Sequence, residues 1–241
     1  FIDSETGYCG GNGVKKTTNG GIIWINVSSV SVYGGYFFDS NNGLLSGSDS
    51  IFRTTNGGVT WSSSPEFSFY TITTMKFVNQ NTGFASANTG GNFYKTINGG
   101  LNWSQIPFQN QYLYSAGFDF LDVNNLITVG RYGLIERSSN GGSNWQNMSN
   151  ILYSSLEGIS FPNSITGFAA GYKYSTNKSI FKTTDQGSNW FELVNAPDIN
   201  FKSVYFLDAN TGFAGGYNSE VYKTTNSGTN WNLVTLQENN K

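Results

Sequence analysis

Apolar residues occur along this chain in short runs or in alternation with polar residues, and clusters of Asn and Gly separate the runs. Clear examples are the stretches 71–77, 203–206 and 212–215. Alternation and short apolar runs bounded by turn residues predict β-strands, whereas no stretch keeps a helical period for three turns. The pattern therefore predicts an all-β protein built from short strands and tight turns.

One eight-residue motif, here called the octad, occurs six times and always ends at a tryptophan. It reads Ser/Thr-x-Asn/Asp-x-Gly-x-x-Trp and directly follows a lysine or arginine, and its tryptophans are 37, 42, 42, 45 and 41 residues apart. A fixed period of this length indicates a repeat architecture. The amide or acid position and the tryptophan of the six copies are Asn19 and Trp24, Asn56 and Trp61, Asn98 and Trp103, Asn140 and Trp145, Asp185 and Trp190, and Asn226 and Trp231.

A second motif precedes each octad and consists of Phe-x-Asp/Asn, three residues, Gly and an apolar residue. Five copies follow the pattern, beginning at Phe1, Phe37, Phe77, Phe161 and Phe206. The remaining copy, at Phe120, has Leu126 where the others have glycine. Because asparagine tolerates a positive φ, we expect Asn124 or Asn125 to adopt the backbone conformation that the missing glycine would otherwise supply.

Each repeat predicts four strands: one ending at Phe, one beginning at Gly, one leading into the basic residue, and one beginning at Trp. Four-stranded repeats of about 42 residues predict a six-bladed β-propeller. The single domain divides into repeats 1–36, 37–76, 77–119, 120–160, 161–205 and 206–241. Since the sequence starts where a first strand ends, we expect that strand upstream of Phe1 in a longer chain. The sequence leaves open the alternative of a seventh blade upstream.

The octads resemble Asp-box repeats of the bacterial neuraminidase type, and their regular pairing with the Phe-x-Asp motif most resembles the photosystem II stability and assembly factor-like propellers. The resemblance covers essentially the whole chain. It implies that the box is a structural turn at the blade periphery, away from the binding faces. More distant relatives with this repeat are sialidases, two-propeller xyloglucanases and sortilin-type receptors.

Composition and charge narrow the function. With 13 Lys+Arg against 15 Asp+Glu, the net charge is −2, so the chain lacks the dense basic surface that nucleic acid requires. It has no histidine, which excludes His-based triads and His metal sites. Its one cysteine, Cys9, is predicted to be a buried small hydrophobe. No apolar run is long enough for a transmembrane helix, and we predict no metal and no cofactor.

An enzymatic alternative would use acidic residues outside the repeated positions. A glycoside hydrolase needs two carboxylates roughly 5 to 10 Å apart in a cleft, and Asp119, Glu157 and Glu220 are the acids that could converge. A sialidase would need three clustered arginines, whereas only Arg131 lies outside the repeated basic position. No residue is predicted to be catalytic, and a glycoside hydrolase of the Asp-box propeller type remains the alternative.

Aromatic residues in the variable loops are the main sign of a binding site. The connections between second and third strands and those entering first strands join the same ends of the strands, so both should emerge on one face. Tyrosine offers rigid contact area with a polar tip and is enriched in recognition surfaces, although the same rings could instead pack between blades. The candidate ligand-binding residues are Arg131, Tyr132, Tyr172, Tyr174, Asn177, Tyr217, Asn218 and Glu220.

The sequence thus predicts a non-catalytic recognition or scaffold propeller that binds a protein partner or a glycan on one tyrosine-rich face. The Asn-, Ser-, Thr- and Tyr-rich composition resembles surface propellers that some bacteria export by type IX secretion. We therefore expect an exported bacterial protein at the cell surface or outside the cell. The resemblance to assembly factors implies a further alternative, docking on a membrane protein complex.

Overall fold

A computed structural model describes residues 1–47, 50–64, 71–87, 92–106, 115–149, 154–174, 180–217 and 220–234. Their regular structure is β-strand, apart from one 3-10 turn at Arg131–Gly133. The chain forms two compact units, Phe1–Gln111 and Tyr112–Lys241. Each unit contains three antiparallel sheets, one sheet for each repeat.

The described part of the first unit forms ten strands, and within each sheet every strand pairs with its neighbour in sequence. The first sheet contains β1 (Thr6–Thr18) and β2 (Ile25–Ser31); the second contains β3 (Gly34–Phe37), β4 (Gly43–Ser46), β5 (Ile51–Thr54) and β6 (Ser62–Ser64); the third contains β7 (Ile72–Phe77), β8 (Gly83–Ala87), β9 (Phe93–Thr96) and β10 (Ser104–Ile106).

The second unit repeats this arrangement with twelve strands over its described ranges. The fourth sheet contains β11 (Ser115–Phe120), β12 (Leu126–Gly130), β13 (Ile135–Ser138) and β14 (Gln146–Asn147); the fifth contains β15 (Ser154–Ser160), β16 (Gly167–Lys173), β17 (Ile180–Thr183) and β18 (Phe191–Glu192); the sixth contains β19 (Phe201–Phe206), β20 (Gly212–Gly216), β21 (Val221–Thr224) and β22 (Asn232–Leu233). The predicted four strands are thus confirmed in five repeats. Each of these sheets begins a few residues before the predicted repeat boundary, because its first strand ends near the phenylalanine that opens the repeat.

The first sheet differs because β1 folds back on itself. The Lys16 ammonium lies 5.3 Å from the centroid of the Tyr8 ring, whereas residues eight apart in one straight strand are separated by roughly 26 Å. The reversal is at Gly11 and Gly13, whose φ values are +156° and +104°, so β1 supplies the second and third strands of this repeat. Among the described residues no strand occupies the first position of this sheet.

The open first position explains why the prediction for Cys9 is wrong. This residue is exposed, not buried. In the other sheets the corresponding position of the second strand is covered by a first strand, as at Ala85 and Ala169, which are both 0% exposed. The covering strand, and no property of the cysteine itself, determines whether this position is buried.

The octad forms the same hydrogen-bonded turn in all six repeats. In the second repeat the Thr54 hydroxyl donates to Asn56 Oδ1 at 3.0 Å and accepts from the Gly58 amide at 2.9 Å. Asn56 Oδ1 also accepts from the Thr60 amide at 2.9 Å. The fourth and fifth positions of the octad have φ near +60° to +90°. Gln186 and Ser227 occupy the fourth position in the last two repeats. The predicted structural role of the motif is therefore what the geometry shows.

The glycine of the second motif serves a different purpose from the predicted one. A Cβ placed on Gly83 would lie 2.5 Å from the Phe77 ring, and one on Gly43 would lie 2.3 Å from the Phe37 ring. Neither glycine has a positive φ, and among the described residues neither Asn124 nor Asn125 has one. The expectation for these asparagines is wrong, because the glycine makes room for a ring and imposes no special backbone conformation.

In two repeats of each unit, the basic residue before the octad reaches the octad of the following repeat. The Lys16 ammonium donates to the Gly57 carbonyl at 3.0 Å, and Arg53 donates to the Gly99 carbonyl at 3.3 Å. In the second unit Arg137 donates to Gln186 Oε1 at 3.1 Å and Lys182 to Ser227 Oγ at 2.5 Å. The recurring cation is therefore a hydrogen-bonded link between neighbouring sheets of one unit.

Between the sheets of each unit lie apolar cores to which successive repeats contribute. Trp103 packs edge to face on Phe77, with ring centroids 5.9 Å apart, in a cluster that also contains Leu44 of the preceding sheet. Trp190 and Phe161 show the same arrangement at 5.9 Å in the second unit. The octad tryptophan thus packs against its own repeat and its neighbour.

Candidate functional site

In the second unit, the loops after the second strands and the starts of the first strands lie at the same end of each sheet. The strand register pairs Ser115 with Gly130, Ser154 with Lys173, and Phe201 with Gly216. Arg131 and Tyr132 directly follow β12, Tyr174 directly follows β16, and Tyr217 directly follows β20. The expectation that these connections share one end of the sheet is therefore confirmed for this unit.

Three tyrosines from two neighbouring sheets form an aromatic cluster at this end. The Tyr132 and Tyr174 ring centroids are 6.2 Å apart, and Tyr172 meets Tyr174 edge to face at 5.9 Å. Tyr132 and Tyr174 are 65% and 53% exposed. We call Arg131, Tyr132, Tyr172, Tyr174 and Tyr217 the tyrosine surface. The rings of Tyr132, Tyr174 and Tyr217 are exposed, and that of Tyr172 is half-buried.

Tyr132 has a backbone conformation that is unfavourable for a bulky residue. Its φ and ψ are 59° and 25°, within the 3-10 turn Arg131–Gly133. Left-handed backbone costs an L-residue roughly 1–2 kcal/mol and is uncommon outside Gly, Asn and Asp. The turn therefore maintains local strain while it holds an aromatic ring against Tyr174.

The environment of Tyr174 favours the protonated form of its hydroxyl. Burial raises the pKa of this hydroxyl above its ordinary value, and neighbouring Tyr172 and Tyr132 raise it further, while Arg131 and a hydrogen bond to the Tyr132 backbone oppose the shift. A protonated phenol can donate a hydrogen bond as well as accept one. Tyr174 therefore presents a neutral polar group within the cluster.

Tyr217 belongs to a second group of side chains, centred on Lys202. The Lys202 ammonium lies 4.3 Å from the centroid of the Tyr217 ring and 3.2 Å from Glu157 Oε2. Burial alone would lower the pKa of Lys202, but hydrogen bonds to Tyr217 and Glu157 raise it above its ordinary value. Ser155, which donates to Glu157 Oε1 at 3.2 Å, pairs in register with Tyr172 and so connects this group to the aromatic cluster.

Sequence reasoning missed Lys202 and treated Glu157 only as a leftover acid. Lys202 lies at a first-strand position that carries Thr73 in the third sheet, and Glu157 lies at a register shift of β15. The signal that could have identified them is the pair of opposite charges at similar places in consecutive repeats. Of the remaining candidate residues, Glu220 is described, and its Oε1 accepts from the Tyr222 hydroxyl at 3.4 Å. The other two, Asn177 and Asn218, lie outside the described residues.

Each acid considered for catalysis has a separate structural partner. Asp119 accepts from the Phe161 amide at 2.8 Å, Glu157 pairs with Lys202, and Glu220 binds Tyr222. Arg53 and Arg137 bind the octads of neighbouring repeats, which leaves no arginine group of the sialidase kind among the described residues. Over the same part of the chain, no cluster of His, Cys, Asp and Glu could hold a metal ion.

Within the ranges that the structure describes, no helix combines the length and the apolar character of a membrane span.

No protein-family model matches the chain, and no curated protein matches its sequence. Solved structures do match its fold. YCF48 bound to D1 peptide is 19% identical with a TM-score of 0.74, covering 97% of this chain and 78% of that one. YCF48 from Cyanidioschyzon merolae is 16% identical with a TM-score of 0.72, covering 97% and 83%. The GH74 xyloglucanase from Xanthomonas campestris is 10% identical with a TM-score of 0.76, covering 97% and 44%.

These similarities show the fold alone. The chain has an all-β fold of the β-propeller type, with one antiparallel sheet for each of its six repeats. It resembles YCF48, as the paired motifs of the sequence indicated. The GH74 structure is more than twice as long as this chain, which covers 44% of it.

Proposed function

We propose that this chain is a non-catalytic recognition and scaffold propeller whose tyrosine surface binds a protein partner. The observation that carries the proposal is the cluster of Tyr132, Tyr172 and Tyr174, in which the exposed Tyr132 and Tyr174 rings lie 6.2 Å apart and Tyr172 meets Tyr174 at 5.9 Å. Such rings provide contact area at a low cost in side-chain entropy, and their hydroxyls add directional hydrogen bonds. The strained backbone of Tyr132 supports the same conclusion, because strain of this kind is concentrated at functional sites.

The charges beside the cluster favour a peptide or protein over a glycan. Arg131 and the Lys202–Glu157 pair place both signs of charge around the tyrosines. Interfaces between proteins combine an aromatic centre with a polar, charged rim. One of the solved structures that share this fold is YCF48 bound to D1 peptide, and a peptide complex of a similar propeller supports a protein partner here. We further propose an exported, surface-associated bacterial protein, on compositional grounds.

The test uses two substitutions that remove rings and one that serves as a control. Purified Tyr132→Gly, Tyr172→Ala and wild-type protein are immobilised and exposed to a bacterial surface-protein extract and, separately, to a glycan array. The control is Tyr205→Ala, because Tyr205 is 63% exposed in the same unit but lies inside β19, away from the tyrosine surface.

We expect one protein to bind wild type and Tyr205→Ala but not the other two variants. Removing one aromatic anchor typically costs about 2 kcal/mol or more, close to thirtyfold in Kd. Equal capture by all four proteins would overturn the assignment. Binding to a defined glycan that disappears in Tyr172→Ala would replace the protein partner with a carbohydrate.

A further inference from the structure

A polar pocket of about 520 Å³, here called the octad pocket, lies beside the octad of the fourth sheet in the second unit. β13 leads from the 3-10 turn that carries Tyr132 to this octad, so the octad pocket and the tyrosine surface are at opposite ends of the sheet. A volume of this size is typical of ligand sites, which occupy roughly 300–1,000 Å³. The polar residues that line the octad pocket are Arg137, Ser139, Asn140, Asn144, Gln146 and Ser188.

Strand pairing places Arg137 beside Gln146 on the wall of this pocket. The two residues are directly opposite each other on β13 and β14, and side chains at such positions share one face of the sheet. Arg137 Nη2 donates to Gln186 Oε1 at 3.1 Å and to Asn125 Oδ1 at 3.4 Å. Among the described residues, the other terminal nitrogen, Nη1, has no hydrogen-bond partner. The guanidinium is therefore fixed on one side and able to bind a ligand on the other.

The octad of the fourth repeat also leaves side-chain amide groups available. Asn140 Oδ1 accepts from the Asn144 backbone amide at 2.8 Å, as the turn requires. Within the described ranges, neither Asn140 Nδ2 nor the Asn144 side chain makes a hydrogen bond. In the fifth repeat the equivalent side chain, Asn189, donates to the carboxylate of Asp185 at 2.8 Å. The asparagine at position 140 therefore leaves the Asn144 side chain able to bind a ligand, whereas an aspartate would engage it.

The chemistry of the lining selects one class of ligand. Pockets for apolar ligands are lined mainly by hydrophobic side chains, whereas amides and hydroxyls, each able to donate and to accept, predominate here. Saccharide hydroxyl groups donate and accept in the same way. Arg137 only donates, in a planar fork that matches a carboxylate. No acidic residue of the described ranges lines the pocket, so a negatively charged ligand would meet no like charge on its wall.

We propose that the octad pocket binds an acidic saccharide, a sugar that carries several hydroxyl groups and one carboxylate. The carboxylate binds Arg137, and the hydroxyl groups bind the amides of Asn144 and Gln146. Trp145 and Met148, which also line the pocket, contact the carbon atoms of the sugar ring. This site is separate from the tyrosine surface, so either proposal can fail without the other.

The test compares probes that have both chemical features with probes that have one. The full chain is titrated by NMR with D-glucuronic acid, with D-galacturonic acid, with D-glucose and D-galactose, which lack the carboxylate, and with acetate, which lacks the hydroxyl groups. We expect one of the two uronic acids to bind saturably, with a Kd about tenfold or more below that of its neutral sugar and of acetate. Equal binding of the neutral sugar or of acetate, or no binding of either uronic acid, would overturn the proposal.

Two variants locate the binding site, and a third is the matched control. Gln146→Ala removes an exposed side chain that makes no hydrogen bond within the described ranges, so the fold should stay intact while Kd rises about fivefold. Arg137→Lys should raise Kd about tenfold, because lysine lacks the planar fork. The control, Arg53→Lys, makes the same change at the equivalent position of the second repeat and should bind like wild type.

The lysine variants are conservative, since the other four repeats have lysine at this position. Tyr172→Ala, which removes a ring of the tyrosine surface, should bind the uronic acid with unchanged Kd. If Gln146→Ala and Arg137→Lys both bind as wild type does, the sugar does not occupy the octad pocket and the proposal is wrong.

Discussion

A single acceptor atom explains why asparagine replaces aspartate in five of the six octads. The turn needs one side-chain oxygen, which Asn98 Oδ1 supplies by accepting from the Asn102 amide at 3.0 Å. Asp185 makes the same bond to the Asn189 amide at 2.8 Å and one more, from the Asn189 side chain, at 2.8 Å. The carboxylate is therefore dispensable, which agrees with a structural motif and gives it no catalytic role.

Four aspartates of the second motif should make stability depend on acid pH. The amides of Asn41 and Asn42, and the side chain of Asn42 first of all, lower the pKa of Asp39, and backbone amides likewise lower the pKa of Asp208. A carboxyl with a lowered pKa in the folded state stabilises the protein above its unfolded pKa, about 4, and this contribution is lost as pH falls through the folded value.

The Tm of wild type should fall between about pH 5 and about pH 3. We expect a variant in which all of these aspartates are replaced by Asn to show a smaller fall in Tm over the same range. Asn79 and Asn163 already fill this position in two repeats, which makes the replacement conservative. Tm near neutral pH should stay almost unchanged. The same acid loss in both proteins would contradict the prediction. The substituted residues are Asp3, Asp39, Asp122 and Asp208.

The strain at Tyr132 predicts an order of stability among two variants that both lack the ring. Tyr132→Gly relieves the left-handed backbone, whereas Tyr132→Ala keeps the strain. We expect the glycine variant to be more stable by about 1 kcal/mol, after the entropy cost of glycine is subtracted. Urea unfolding of the two variants measures the difference, and a more stable alanine variant would show that the turn is unstrained.

At the scale of strands, the contact between Phe and Gly sets the geometry of each first hairpin. Gly83→Ala should destabilise the protein by about 1–3 kcal/mol, because its Cβ would overlap the Phe77 ring. The smaller side chain in the Phe77→Leu background should reduce that penalty, since the stability changes caused by substituting two residues in contact are not additive. Equal penalties in the two backgrounds, measured by denaturant unfolding, would show that the ring is not the cause.

The links between sheets predict different effects for adjacent lysines. Lys16→Met removes the bond to the Gly57 carbonyl and should cost about 1 kcal/mol, as expected for one partly exposed charged hydrogen bond. Lys15→Met is the control, because Lys15 is exposed and lies beside it on β1. A similar Tm for both variants would show that the link contributes nothing measurable.

At the scale of the whole molecule, the engaged carboxylates argue against hydrolysis of glycans. The fold resembles GH74 enzymes as well as YCF48, so the fold alone does not distinguish the two functions. Because Asp119 and Glu157 are bound to a backbone amide and a lysine, we expect no release of reducing sugar from xyloglucan. Hydrolysis that Glu157→Gln abolishes would establish the enzymatic alternative instead.

The sequence by itself determined the features that depend on neighbouring residues. The six repeats, the four strands of most sheets and the octad turn follow from residues fewer than about ten positions apart, because turn chemistry and side-chain alternation act locally. The placement of Tyr132, Tyr172, Tyr174 and Tyr217 at one end of the sheets also followed from strand order alone.

Only the tertiary structure decided what depends on adjacent sheets. The contact of Tyr132 with Tyr174 and the bond from Lys16 to Gly57 join residues more than forty positions apart. Cys9 is exposed although its local sequence resembles that of buried positions, because burial depends on whether a first strand covers it. The role of the glycine in the second motif escaped prediction for the same reason: its requirement comes from a ring packed against it, and such a contact exists only after the strands have paired.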